Sequence, residues 1–226
     1  GVENHSAKLI VRGFWMYWNG RCVLPNRVQA VVFDIGNVLI EWQPERFYDG
    51  LISVKERKNM FDALDLHHMN DRIDRGANWR ETVYETAKDY PEYKDLIRLW
   101  HDRWLDMASP AITKSVNLLR QLRNREIPVF ALSNFGIQPF EFAETVYPFL
   151  KEFDQRYISG YLGQVKPEPQ IYQILEENCG VAPDRLLFVD DRQENLDTAQ
   201  GRGWHVHLFD GSTGWEARLR KEGLLK

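Results

Sequence analysis

Short apolar runs alternate with amphipathic segments along most of the chain. The first clear run covers residues 28–33 and ends at Asp34, and later runs cover 127–132, 186–189 and 204–209. Runs of this length that are rich in Val, Ile, Leu and Phe predict buried strands. Between these later runs, apolar residues recur at helical spacing. Strands that alternate with helices predict an α/β fold with a Rossmann-like, doubly wound parallel sheet.

The pattern changes between residues 44 and 109, where no β-branched run occurs. Apolar side chains recur there at helical spacing, which predicts three to five helices inserted after the first strand. We therefore divide the chain into an α/β core at 28–43 and 110–226 and a helical cap domain at 44–109. The helical stripes consist of Met60, Phe61, Leu64; Trp79, Val83, Tyr84, Ala87; and Leu96, Leu99, Trp100, Trp104, Leu105.

Residues 1–27 form the least regular part of the pattern. The run from Phe14 to Trp18 contains five large apolar residues, and Asn19-Gly20 follows it as a hairpin-turn signal. We predict an N-terminal arm or β-hairpin. So many large apolar side chains must pack against the core or against another chain. A homodimer is therefore a possible assembly.

Composition narrows the classes of partner. The chain has 226 residues, a net charge of −4 and 27% charged residues. It has no basic face for nucleic acid and no polybasic segment for a membrane surface. No apolar run approaches the roughly 18 residues of a membrane span. Two cysteines, Cys22 and Cys179, are typical of a reducing compartment, so we expect a cytoplasmic protein without nucleic-acid or membrane partners.

Polar side chains stand where the predicted strands end. Asp34 ends the first strand, Ser133-Asn134 the second, and Asp190-Asp191 a later one, while Lys166 precedes a predicted helix. In a parallel sheet these strand ends meet at one edge. Two or three carboxylates there suit a hard divalent cation, above all Mg²⁺. A lysine and a hydroxyl beside that ion suit a phosphate, and an aspartate can act as a nucleophile as well as a ligand.

Four segments carry a resemblance to a known family. Phe33-Asp34-Ile35-Gly36-Asn37-Val38, Leu132-Ser133-Asn134, Lys166-Pro167 and Val189-Asp190-Asp191 through Asn195 resemble, in order and spacing, the four motifs of the haloacid dehalogenase-like hydrolases. The helical insertion resembles that family's cap. The motifs look most similar to those of bacterial sugar-phosphate phosphatases, for which α-D-glucose-1-phosphate is one substrate. They are also similar to the N-terminal phosphatase domain of soluble epoxide hydrolases.

The resemblance implies a role for each motif residue. Asp34 would attack phosphorus and form an aspartyl-phosphate. Ser133, the backbone at Asn134 and Lys166 would bind the phosphoryl group, and Lys166 would balance the carboxylates. The implied substrate is a small phosphorylated metabolite, with a sugar phosphate favoured.

The resemblance also implies a Mg²⁺ site. Asp34, the backbone carbonyl of Gly36 and Asp191 would hold the ion, while Asp190 and Asn195 would orient the surrounding shell. The residues alone leave Asp190 and Asp191 equivalent. Alignment with the family motif selects Asp191 as the ligand.

Gly36 departs from the pattern of that family. Most of its phosphatases have a second Asp at this position, two residues after the nucleophile, which protonates the leaving group. A glycine keeps the carbonyl and removes the acid, for which His101 in the cap is a candidate replacement. The departure leaves two alternatives open, a metal-independent 2-haloacid dehalogenase and a non-catalytic binding or regulatory protein of the same fold. Trp42 could line the pocket, and Arg75-Gly76 could be either a substrate loop or a helix C-terminal turn.

Overall fold

The computed structural model describes residues 28–226 and, before them, two short strands. These are β1 (Met16–Trp18) and β2 (Arg21–Val23), which pair antiparallel. The turn predicted between them and the remainder of the predicted arm at 1–27 lie outside the described residues. The arm, and the homodimer that it would mediate, stay predictions.

A five-stranded parallel sheet forms the centre of the α/β core. Val31 and Phe33 point into one apolar cluster and Val32 into another, so both faces of the central strand are buried. The order β5-β4-β3-β6-β7 places the carboxyl ends of β4, β3 and β6 side by side. The chain leaves β3 toward β4 and β5 and returns to β6 on the other side, which creates a crevice at those ends. The strands are β3 (Ala30–Phe33), β4 (Val129–Ser133), β5 (Gln155–Ile158), β6 (Leu186–Asp190) and β7 (His205–Leu208).

Six α-helices occupy the insertion, one more than the upper end of the predicted number. The two shortest helices, of six and four residues, are the hardest to predict, because an apolar residue cannot recur often enough in them to make a pattern. Trp100, from the third predicted stripe, is fully buried beneath the Tyr48 ring, with 6.3 Å between ring centroids. The helices are α1 (Pro44–Asp49), α2 (Val54–Leu64), α3 (Leu66–Asp74), α4 (Trp79–Asp89), α5 (Lys94–Asp102) and α6 (Trp104–Met107).

Helices on both faces complete the core, as the alternating pattern predicted. Trp215 packs edge-on against Phe33 on one face, with 5.7 Å between ring centroids, and Tyr172 and Leu196 cover the other face. The predicted doubly wound α/β fold is confirmed. None of the helices in the described part of the chain is long and apolar enough to cross a membrane. The helices are α7 (Thr113–Asn124), α8 (Ile137–Val146), α9 (Ser159–Leu162), α10 (Pro169–Asn178), α11 (Gln193–Gly201) and α12 (Ser212–Lys221).

Candidate active site

Three of the predicted site residues stand at the carboxyl ends of neighbouring strands. Asp34 directly follows β3, Ser133 ends β4 and Asp190 ends β6. All three are buried. The Ser133 hydroxyl donates a hydrogen bond to Asp34 Oδ1 over 2.7 Å. The sheet topology therefore brings together, at one edge, side chains that are about a hundred residues apart in sequence.

Lys166 enters the same edge from the loop between α9 and α10. Its Nζ lies 2.6 Å from Asp190 Oδ2 and 3.0 Å from Asp34 Oδ1, and its side chain is only 1% exposed. Burial by itself lowers the pKa of Lys166, but the charges of Asp190 and Asp34 outweigh it and raise that pKa. The ammonium therefore stays charged, and the two carboxylates offset its desolvation.

Hydrogen-bond donors of the described residues reach only one of the two oxygens of the Asp34 carboxylate. Oδ1 accepts hydrogen bonds from Ser133 Oγ and from the Ile35 backbone N–H at 2.7 Å, while Oδ2 accepts none from the described residues. Burial raises the pKa of Asp34 to about 7, although the Lys166 ammonium opposes the shift. Repulsion from Asp190 and Asp191 acts in the same direction as burial. A second positive charge at this edge would keep Asp34 ionised.

Three carboxylates lie close enough together to share a cation. Asp34, Asp190 and Asp191 each offer an oxygen, and these oxygens lie within 4.8 Å of one another. Both oxygens of Asp190 already accept hydrogen bonds. Asn195 Nδ2 donates to both of them at 3.0 Å, and the Arg192 backbone N–H donates to Oδ1. Asp191 is half-buried, and burial raises its pKa. A set of hard oxygen donors of this kind fits Mg²⁺.

Asn37 is a site residue that the sequence analysis did not single out. Its Nδ2 donates to Asp191 Oδ2 over 2.9 Å, and its Oδ1 accepts from the Trp42 backbone N–H, also over 2.9 Å. The residue has a φ of 55°, a left-handed conformation that Asn tolerates better than most residues. Asn37 belongs to the first family motif, but its contact with Asp191 crosses 154 positions and leaves no local trace in the sequence.

A cavity of about 260 Å³ opens above the strand ends. Its core wall includes Asp34, Ser133 and Lys166, with Asp190 behind them. Its cap wall includes four residues of α3, which are His67, Asn70, Asp71 and Asp74. This volume lies just below the roughly 300–1,000 Å³ that is usual for ligand pockets. The cavity suits a small molecule with polar groups at both ends.

A sequence model of the family described as haloacid dehalogenase-like hydrolase matches residues 28–203. The chain belongs to the haloacid dehalogenase-like hydrolases. The match covers the strands β3 to β6, the inserted helices and every residue of the site described above. The identification made from the four motifs is confirmed, and with it the classification of the chain as a hydrolase.

Among known members of this family, the chain is similar to the D-ribitol-5-phosphate phosphatase of Bacteroides thetaiotaomicron. The two are 22% identical over 206 residues, which cover 85% of this chain and 97% of the relative. The chain thus spans nearly the whole length of a relative that is named as a phosphatase.

Solved structures show the same fold. A family enzyme from Bacteroides thetaiotaomicron, crystallised as a magnesium complex, aligns with a TM-score of 0.65 at 21% identity and covers 85% of this chain and 98% of its own. The L-2-haloacid dehalogenase of Xanthobacter autotrophicus, with chloropropionic acid covalently bound, aligns with a TM-score of 0.58 at 17% identity, covering 88% and 85%. A family enzyme crystallised with magnesium and a dehalogenase therefore share this fold, which does not by itself choose a function.

The remaining predicted residues of this hydrolase divide between the cavity and other places. Trp42 lines the cavity, whereas His101 lies outside its walls, with Nδ1 2.7 Å from Asp102 Oδ1. The Asn134 side chain does not face the cavity with free donors, because its Oδ1 accepts from the Lys166 N–H and its Nδ2 donates to the Lys166 carbonyl. Asn134 thus fixes the backbone that carries Lys166.

The cap contributes an acid that sequence reasoning missed. Asp74 lines the cavity and immediately precedes Arg75-Gly76, the pair considered as a substrate loop or a helix end. The structure shows a helix end, since α3 finishes at Asp74 and Gly76 N–H donates to the Ile73 carbonyl. The turn nevertheless lies against the core beside the cavity. The only sequence signal for Asp74 was its place next to this pair.

Proposed function

We propose that the protein is a Mg²⁺-dependent phosphatase that hydrolyses a small phosphorylated metabolite, with sugar and sugar-alcohol phosphates the favoured class. The observation that carries this proposal is the convergence of Asp34, Ser133 and Lys166 in one buried cluster. A nucleophilic carboxylate, a hydroxyl and an ammonium within hydrogen-bond distance suit a phosphoryl group. Family membership and the similarity to a ribitol-5-phosphate phosphatase support the same conclusion.

The reaction proceeds in two steps at Asp34. A carboxylate oxygen of Asp34 attacks phosphorus, the bond from phosphorus to the leaving oxygen breaks, and an aspartyl-phosphate forms. Water then attacks that phosphorus and releases inorganic phosphate. Ser133 and Lys166 donate hydrogen bonds to the phosphoryl oxygens, and Lys166 offsets the negative charge that accumulates during transfer.

The residues present fit the expected metal ion. Asp34, Asp191 and the backbone carbonyl of Gly36 would hold Mg²⁺, and Asp190 and Asn195 would orient the surrounding shell. Asn195 Oδ1 is buried without a hydrogen-bond partner among the described residues, so it is free to accept from a water of that shell. When bound, the ion supplies positive charge that neutralises the clustered carboxylates and the phosphoryl oxygens.

A metal-independent C–halogen hydrolase is the second candidate. Gly36 favours it, because a halide leaves without a proton and a dehalogenase needs no acid at that position. The three clustered carboxylates favour the phosphatase, because C–halogen hydrolysis at Asp34 gives Asp191 no cation to hold.

A panel of sugar phosphates and sugar-alcohol phosphates, assayed with Mg²⁺ and with EDTA, tests the proposal. Asp34→Asn removes the nucleophile and keeps the shape, so we expect phosphate release to fall by roughly 10⁴-fold or more. Asp62→Asn, which changes an exposed carboxyl on α2, is the matched control and should retain full activity. Halide release from 2-chloropropionate in EDTA, with no phosphate release from any ester, would overturn the phosphatase assignment.

A further inference from the structure

The proposed phosphatase reaction requires a proton for an alkoxide leaving group. Alkoxides are strong bases, and the proton must come from a group at the cavity. Gly36 offers no side chain, and the three core carboxylates already lie around Lys166 and the cation site. The cap wall is therefore the place to look for the donor.

Asp74 is held against the core by its own backbone. Its carbonyl accepts a hydrogen bond of 2.6 Å from the hydroxyl of Ser159, which is fully buried. The same hydroxyl accepts from the Phe135 backbone N–H over 2.9 Å. Phe135 follows Ser133-Asn134 at the end of β4. A single side chain thus ties the last residue of α3 to the loop that carries the phosphate-binding groups.

The turn after Asp74 docks in the same way. Arg75 Nη2 lies 2.7 Å from Glu168 Oε1, two residues after Lys166. Gly76 has a φ of +103°, and a Cβ there would lie 2.8 Å from the Gly160 carbonyl oxygen, so only glycine allows this approach. These contacts place the Asp74 carboxyl in a set position relative to the core wall of the cavity.

The Asp74 carboxyl has amide neighbours and no cation. Asn70 Nδ2 donates to Oδ2 over 2.9 Å, while the other side of that amide accepts from Trp100 Nε1 over 3.0 Å. The Trp100 contact orients the amide, so Asn70 is the donor and Asp74 Oδ2 the acceptor. No cationic side chain among residues 28–226 forms an ion pair with Asp74, whereas Asp71 on the same helix pairs with Arg75 over 2.9 Å.

This environment favours the protonated acid. Burial raises the pKa of Asp74 to about 8, the charge of Asp71 adds to the shift, and hydrogen bonds from the Gly136 backbone and from Asn70 oppose it. The charge of Asp34, which faces Asp74 from the sheet, also raises the pKa of Asp74. Near neutral pH, Asp74 therefore holds a proton that it can give away.

We propose that Asp74 is the general acid and base of the reaction, supplied by the cap in place of a side chain at position 36. This role rests on the proposed phosphatase function. As the bond from phosphorus to the leaving oxygen breaks, its electron pair stays on that oxygen, which takes the proton from Asp74 and departs as an alcohol. Asp74, now a carboxylate, takes a proton from the water that attacks the aspartyl-phosphate. Inorganic phosphate is released, and Asp74 is neutral again.

Leaving-group dependence tests this role with Asp74→Asn, which keeps the shape and the Asn70 contact but cannot transfer a proton. We expect its kcat on the best alkyl phosphate of the panel to fall by about 10²–10⁴-fold. Dinitrophenolate leaves without a proton. The rate of the first-turnover burst from 2,4-dinitrophenyl phosphate should therefore change by less than about tenfold. The burst amplitude also counts the folded, active molecules. Asp62→Asn is the matched control, since it alters an exposed carboxyl of α2 outside the cavity walls and should keep the two rates in their wild-type ratio.

The outcomes separate this inference from the proposed function. Wild-type protein that releases neither product would contradict the phosphatase assignment itself. Active wild-type protein combined with an Asp74→Asn variant that slows both substrates equally, or slows neither, would overturn the acid role alone. A selective loss on the alkyl phosphate with an intact burst supports the role.

Discussion

The core wall of the cavity holds its charged groups in a closed network, whereas the cap wall leaves an acid without a cation. Asp190, behind the core wall, accepts hydrogen bonds from Lys166 and Asn195 and is fully buried. Asp74, on the cap wall, accepts from Asn70 and pairs with no cationic side chain among residues 28–226. The same residue type thus has a cationic partner on one wall and none among the described residues on the other. In the proposed reaction the two walls have different tasks, since the core wall binds cations and the cap wall gives a proton.

The largest effect is expected from removing the cation of the core wall. Lys166→Met leaves two buried carboxylates without their shared partner, so the free energy of unfolding should fall by about 3–5 kcal/mol. Phosphatase activity should be lost as well. Urea unfolding in EDTA at pH 8 measures the loss of stability.

The same substitution at an exposed pair provides the control. Lys114 lies 3.0 Å from Glu216 and is 49% exposed, so Lys114→Met should cost less than about 1 kcal/mol. Equal losses in the two variants would show that the network around Lys166 is no tighter than a surface ion pair.

On the cap wall, replacing Asp74 is expected to raise the stability of the protein, whereas replacing Lys166 on the core wall lowers it. The pKa of Asp74 rises from its ordinary value of 3.8 to about 8 on folding, so the native state binds the proton more tightly than the unfolded state. The contribution of Asp74 to stability should therefore fall as pH rises from about 4 to about 8. Asp74→Asn removes this cost, so it should be more stable than wild type by up to about 5 kcal/mol at pH 8 and nearly equal to it near pH 4. Thermal unfolding at the two pH values measures the difference.

Glu152 serves as a control of opposite sign. A hydrogen bond from Arg120 lowers its pKa, so its contribution to stability is present above about pH 4.5 and is lost in acid. Glu152→Gln should therefore be slightly less stable than wild type at pH 8. A loss of stability in Asp74→Asn at pH 8 would contradict a neutral Asp74 in the folded protein.

The core wall could be predicted from the sequence because topology alone assembles it. Asp34, Ser133 and Asp190 each end an apolar run, and parallel strands place such ends at one edge. Lys166 joined them from its place before a predicted helix, and the family motif then separated Asp191 from Asp190. The structure supplies a physical reason for that separation, since the hydrogen bonds from Lys166 and Asn195 already occupy the oxygens of Asp190.

The cap wall could not be predicted because tertiary contacts alone determine it. Asp74 is one of several acids on an amphipathic helix, and no spacing distinguishes it from Asp71. Its position depends on Ser159, 85 residues later, and its raised pKa on a half-buried place against the core. His101 was the cap residue considered as a replacement acid, but its ring contacts Trp79 and Asp102 away from the cavity.

The smallest effect should arise where the two walls meet. Glu168 belongs to the segment that carries Lys166, and its ion pair with Arg75 joins that segment to the turn after Asp74. The two side chains are 38% and 40% exposed, so Glu168→Gln should cost less than about 1 kcal/mol of stability. If the loss of this ion pair displaces the cap turn, an energy of that size should lower kcat on the alkyl phosphate by about two- to fivefold. The rate of the dinitrophenyl phosphate burst should stay unchanged. Glu152→Gln breaks a similar exposed pair with Arg120 elsewhere in the core and should leave both rates unchanged. If Glu168→Gln slows the burst as much as the alkyl reaction, the pair acts by holding Lys166, and the cap wall does not depend on it.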